Sequence, residues 1–127
     1  METIPDKPAG LYVHIPFCLQ KCRYCDFYSI SDLSQTSRFM VALKHEMQMN
    51  RGNQLAFDTL YIGGGTPSVL APDAIEELIE MAWKYFNITS DAEITIEINP
   101  GTVTFDNLFE YRKMGVNRVN IGVQSFD

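Results

Sequence analysis

Cysteine is scarce in this chain: three in 127 residues, at positions 18, 22 and 25, all inside the stretch HIPFCLQKCRYCDF at 14–27. An odd, tightly spaced set excludes a framework of fully paired disulfides, and in a reducing compartment it suits a metal better. Long apolar runs are lacking too. No segment of about eighteen apolar residues occurs, and the first thirty residues lack a basic start followed by an apolar run, so a membrane span or secretory leader is not expected. The expected location is the cytoplasm. Positive charge is in the minority, with 10 Lys and Arg against 16 Asp and Glu for a net charge of -6. That balance argues against a broad nucleic-acid surface or an anionic membrane partner. Linkers and low-complexity tracts are missing as well, and 46% apolar composition is enough for one globular unit.

What is present is a rhythm of strands and helices. Leu11 to Ile15 reads as a strand, and Phe39, Met40, Leu43 and Met47 then recur at helical spacing before Gly52. Thr59 to Ile62 is a second strand. It precedes a helix that opens at Pro72 and carries Ile75, Leu78, Ile79, Ala82, Trp83 and Phe86 on one face. Glu93 to Ile98 alternates as a third strand, Thr104 can cap a short helix that runs through Tyr111 and stops at Gly115, and Arg118 to Val123 is a fourth strand. Strands alternating with helices predict a parallel sheet.

Each predicted strand has one apolar and one polar face. Val13 and Ile15 oppose Tyr12 and His14; Leu60 and Ile62 oppose Thr59, Tyr61 and Gly63; Ile94, Ile96 and Ile98 oppose Glu93, Thr95 and Glu97; Val119, Ile121 and Val123 oppose Arg118, Asn120 and Gln124. A parallel sheet buried on both faces would be apolar throughout. The polar face therefore suits the inside of a curved sheet with a ligand in its lumen. With the last predicted strand close to Asp127, the expected architecture is α/β, the first half of a larger barrel, with residues 1–10 as an extension and 11–127 as the barrel part.

The unusual residues fall at the carboxyl ends of these strands. The cysteine loop follows the first strand, Gly63-Gly64-Gly65-Thr66-Pro67-Ser68 the second, Glu97 with Asn99-Pro100-Gly101-Thr102 closes the third, and Gln124-Ser125-Phe126 follows the fourth. That rim is where parallel α/β folds bind ligands. Three thiolates could serve zinc, with His14 completing a closed site. A cubane iron-sulfur cluster fits the spacing better, and with three cysteines it keeps one iron open for a small molecule. Glu97 has a competing structural role, as an ion-pair partner of Arg118 on the next strand.

Cys18, Cys22, Tyr24 and Cys25 resemble the Cys-x3-Cys-x2-Cys hallmark of the radical S-adenosylmethionine (SAM) superfamily, whose fold is a partial (β/α)6 TIM-like barrel of parallel strands. His14-Ile15-Pro16-Phe17-Cys18, Gly63 to Ser68, Glu97-Ile98-Asn99-Pro100-Gly101 and Gly122 to Phe126 are similar to the branch holding oxygen-independent coproporphyrinogen III oxidases and HemW-type heme chaperones. The resemblance implies that Cys18, Cys22 and Cys25 hold three irons of a [4Fe-4S] cluster and that SAM chelates the fourth. It implies SAM contacts at Tyr12, Tyr24, Gly64, Gly65, Thr66, Glu97 and Gln124. A carboxylate there is favourable against the sulfonium and ammonium of SAM. The implied chemistry is reductive cleavage of SAM by an electron donor, with heme or a porphyrinogen as the larger partner. The oxidases of this branch usually carry a fourth cysteine two residues after the third; Phe27 stands there in this chain, which favours the heme chaperones.

Overall fold

The computed structural model describes residues 7–18, 33–52, 54–101 and 103–122. Four strands, β1 (Ala9–Ile15), β2 (Ala56–Gly64), β3 (Asn87–Ile98) and β4 (Arg118–Ile121), lie side by side in chain order, and every neighbouring pair is parallel. Between them run α1 (Thr36–Met49), α2 (Pro72–Tyr85) and α3 (Phe105–Lys113). Parallel neighbours cannot be joined by a tight turn, so each helix is the return path that brings the next strand back in register.

Local chemistry explains where the helices begin and end. Pro72 opens α2 where a missing N–H costs nothing, Asp73 and Lys84 sit at the ends that the helix dipole favours, and Ile75, Leu78, Ile79 and Ala82 are buried. Thr104 caps α3 as expected, its Oγ1 accepting from the backbone N–H of Asn107 at 3.1 Å, and Gly115 just beyond the helix has φ +109°. α1 starts at Thr36 without a side-chain cap and buries Met47, while Phe39, Met40 and Leu43 pack against the core.

β3 is longer than its alternation predicts. It begins at Asn87 rather than Glu93, because Ala56 and Phe57 of β2 pair with Asn87 and Ile88 before a register shift. The polar stretch Thr89-Ser90-Asp91 hides this extension from a period-two reading, since it falls at the register shift, where β3 carries extra residues between Ile88, paired with Phe57, and Glu93, paired with Thr59. β4 is described to Ile121, and Val123 lies outside the described residues.

The two faces of the sheet separate as expected. One row across it runs Val13, Ile62, Ile96, Val119, and another Leu11, Leu60, Ile94. Ile62 and Ile96 are fully buried, whereas Val119 at the end of the row is 40% exposed and Ile121 is 49% exposed. Among the described residues, helical cover therefore stops short of β4. On the opposite face Tyr12 is exposed and Glu97 half-buried, but Thr95 is buried and departs from the wet face expected of its neighbours.

Tyr111 is only 1% exposed, and its hydroxyl has no hydrogen-bond partner among the described residues. Burial alone raises its phenol above the usual value of 10.0. Below pH 10 the hydroxyl is neutral whether the chain is folded or unfolded. Above it the unfolded chain ionises first, so stability falls as pH rises. Tyr111→Phe is expected to leave stability at pH 7 unchanged, or to raise it by up to about 1 kcal/mol, because no bond is lost. It should also reduce the loss on going to about pH 10.5. Urea unfolding at the two pH values checks both signs, and a clear loss at pH 7 would contradict them.

Candidate functional site

The carboxyl ends of β1 and β2 continue to pair beyond the strands themselves. The backbone N–H of Gly65 donates to Ile15 O, and that of Thr66 to Phe17 O, both at 2.7 Å. These bonds join the segment entering the cysteine loop to the glycine loop, and they leave no room between the two. A Cβ on Gly65 would lie 2.5 Å from Phe17 O and 2.7 Å from Cys18 Sγ; one on Gly64, where φ is +114°, would lie 2.6 Å from Ile15 O. The two glycines are thus required by close approach, and Cys18 places a buried free thiol against Gly65.

Glu97 reaches the same rim from β3. Its Oε1 accepts from the backbone N–H of Gly64 at 2.8 Å, and its Oε2 from the Tyr61 hydroxyl at 3.1 Å. The competing ion pair with Arg118 is not formed: Arg118 meets Glu93 at 3.5 Å, on an exposed part of the face nearer the strand starts. Two donors on an acceptor-only group make Glu97 a fixed negative point. Tyr12 stacks on Tyr61, ring centroids 5.9 Å apart and planes at 23°, and its hydroxyl shares a 3.1 Å hydrogen bond with His14 Nδ1. Partial burial holds the Tyr12 phenol above its ordinary pKa, with the negative charge of Glu97 and then Tyr61 adding to the shift. On the next loop, Ser68 Oγ accepts from the Asn99 backbone N–H at 3.3 Å, which ties the turn after β2 to the end of β3.

The structure therefore gathers Tyr12, Cys18, Gly64, Gly65, Thr66 and Glu97 at one end of the sheet. Cys22, Tyr24, Cys25 and Gln124 lie outside the described residues. Tyr61 and Asn120 belong to the site although the motifs do not reveal them. Alternation puts both on the polar face, but only the tertiary fold makes Asn120 Nδ2 donate to Tyr61 Oη at 2.8 Å. A thiol seated against glycine backbone, a lining carboxylate and glycines that clear space are a chemistry fitting a thiolate-held cluster beside a cationic small molecule.

A parallel α/β sheet with such a rim is the frame of a cofactor-binding barrel, and the comparison is specific: the Radical SAM superfamily model matches residues 12–127. The chain belongs to that superfamily, whose members use SAM and a [4Fe-4S] cluster. It is 41% identical over 125 residues to the heme chaperone HemW of Escherichia coli (strain K12), covering 94% of this chain and 32% of that protein. It is 38% identical over 127 residues to the oxygen-independent coproporphyrinogen III oxidase of Bradyrhizobium diazoefficiens, covering 94% and 28%. A solved structure of the Escherichia coli coproporphyrinogen III oxidase HemN, described as a radical SAM enzyme, matches with a TM-score of 0.87 at 34% identity, over 98% of this chain and 30% of that one. The chain spans about a third of the length of the relatives it matches. Among the described residues no helix is long and apolar enough to cross a membrane.

Proposed function

We propose that this chain forms the first part of a radical SAM core, with residues 11–127 as that part, and that it serves a heme chaperone which delivers heme to target proteins. The observation that carries the reading is the rim itself. Cys18 Sγ sits against Gly65 while Gly64 is bonded to Glu97, so a cluster ligand and a SAM-binding surface share one wall. In this reading Cys18, Cys22 and Cys25 hold the [4Fe-4S] cluster. Tyr12, Tyr24, Gly64, Gly65, Thr66, Glu97 and Gln124 contact SAM. When bound, the cluster supplies the electron that cleaves the SAM sulfonium, received in turn from a cellular reductant. The chain's own part is to bind and orient. Gly64 and Gly65 let backbone approach the ligand, Glu97 complements positive charge, and Tyr12 presents an exposed ring at the mouth.

Heme as cargo is supported by the HemW names among the relatives and by Phe27 in place of a fourth cysteine. Decarboxylation of coproporphyrinogen is the second reading, favoured by the fold match to a solved oxidase. A metal-binding scaffold, holding a cluster or zinc without SAM chemistry, is the third. The test is electron paramagnetic resonance of the anaerobically reconstituted, dithionite-reduced chain with and without SAM, followed by a visible heme titration and an assay of coproporphyrinogen decarboxylation. A cubane signal that SAM perturbs, with heme bound and no decarboxylation, is the expected result. Decarboxylation would select the oxidase, and a signal indifferent to SAM would select the scaffold.

A further inference from the structure

Glu97 is held by more than its own strand. Glu97 and Asn120 are cross-strand partners on β3 and β4, while Tyr61 on β2 is level with Thr95, two residues earlier along β3. The long phenol of Tyr61 closes that offset, so its hydroxyl stands between the two partners, 3.1 Å from Glu97 Oε2 and 2.8 Å from Asn120 Nδ2. Gly63 makes the space: a Cβ there would fall on Glu97 Oε1 and lie 2.8 Å from the Tyr61 ring.

The direction of this chain follows from donor accounting. A carboxylate only accepts, so the single O–H of Tyr61 must point to Glu97, and the phenol oxygen must then accept from the Asn120 amide. Both carboxylate oxygens are thereby held, one by Gly64 N–H and one by Tyr61, and each keeps acceptor capacity for a ligand. The stack of Tyr12 on Tyr61 fixes the plane of the ring.

We infer that Tyr61 and Asn120 are positioning residues, which hold the Glu97 carboxylate in the orientation that accepts a hydrogen bond from SAM. The inference rests on Glu97 as a SAM contact, and the experiment separates the two. Tyr61→Phe keeps the ring and removes only the hydroxyl. In the anaerobically reconstituted chain it should weaken SAM binding by about tenfold, with Asn120→Ala costing about threefold, as expected for loss of a bond to a charged group and of one that supports it. Iron content should stay unchanged. Because the Gly64 N–H donates to the same carboxylate, its hydrogen exchange should accelerate about fivefold in Tyr61→Phe, while exchange at Ile62 does not change. In a Glu97→Gln background, Tyr61→Phe should have no further effect on SAM affinity. An additive loss there, or an unaltered Gly64 amide together with full SAM affinity in Tyr61→Phe, would overturn the positioning role while leaving the SAM contact standing. Full SAM affinity in Glu97→Gln would overturn the contact and the inference with it.

Discussion

Gly65→Ala is expected to destabilise the chain by about 1–3 kcal/mol and to abolish cluster loading, the larger effect being on the cluster. The added methyl would meet Phe17 O at 2.5 Å and Phe17 C at 3.0 Å, and these are backbone atoms already committed through the Thr66 N–H to Phe17 O bond. They cannot swing aside as a side-chain tip can. Relief therefore has to come from opening the junction between β1 and the glycine loop, and that junction places Cys18 Sγ 2.7 Å from the same Cβ position. Gly52→Ala is the control, because Gly52 has φ +80° but nothing within contact distance of a Cβ. It should cost about 1 kcal/mol from backbone strain and leave the cluster intact. Urea unfolding together with iron and sulfide analysis after reconstitution distinguishes the two. Normal iron in Gly65→Ala would mean that the junction yields without moving the thiol.

Ile96→Ala should cost about 2–5 kcal/mol, a large share of the stability of a domain this size. Ile96 is fully buried in the middle of β3, paired with Ile62 on one side and Val119 on the other. Four side-chain heavy atoms in isoleucine shrink to one in alanine, and the covering helix cannot follow the retreat without losing its other contacts. Val119→Ala, one strand away in the same row, should cost less than about 1 kcal/mol, because its side chain is 40% exposed. Denaturant midpoints of the two variants give the comparison directly. Equal losses would mean that β4 is covered on that face.

The contrast between Ile96 and Val119 also marks how far pattern alone reaches. Alternation in Leu11 to Ile15, Thr59 to Ile62 and Glu93 to Ile98 gives the strands and their buried faces, because a period of two is a local property of extended chain. Thr104, Pro72 and Gly115 set helix ends for equally local reasons: a capping oxygen, a missing N–H, a φ that glycine tolerates. The start of β3 at Asn87 was not legible, since Thr89-Ser90-Asp91 has no strand periodicity and lies at the register shift between Ile88 and Glu93, which pair with β2 on either side of it. Likewise nothing local says that Val119 and Ile121 would be exposed; that depends on what packs over them.

For the site, the sequence by itself determined the donor set, three thiols in one loop with glycines and a carboxylate at other strand ends, because chemical type and spacing are written in the chain. Only the tertiary structure decided which of these meet. Strand register sets Arg118 opposite Thr95, two residues from Glu93 and from Glu97 alike; its guanidinium meets Glu93, while Gly64 N–H and Tyr61, brought up by β2, hold the Glu97 carboxylate. Register fixes cross-strand neighbours between residues tens of positions apart, and no pattern within one strand contains that information.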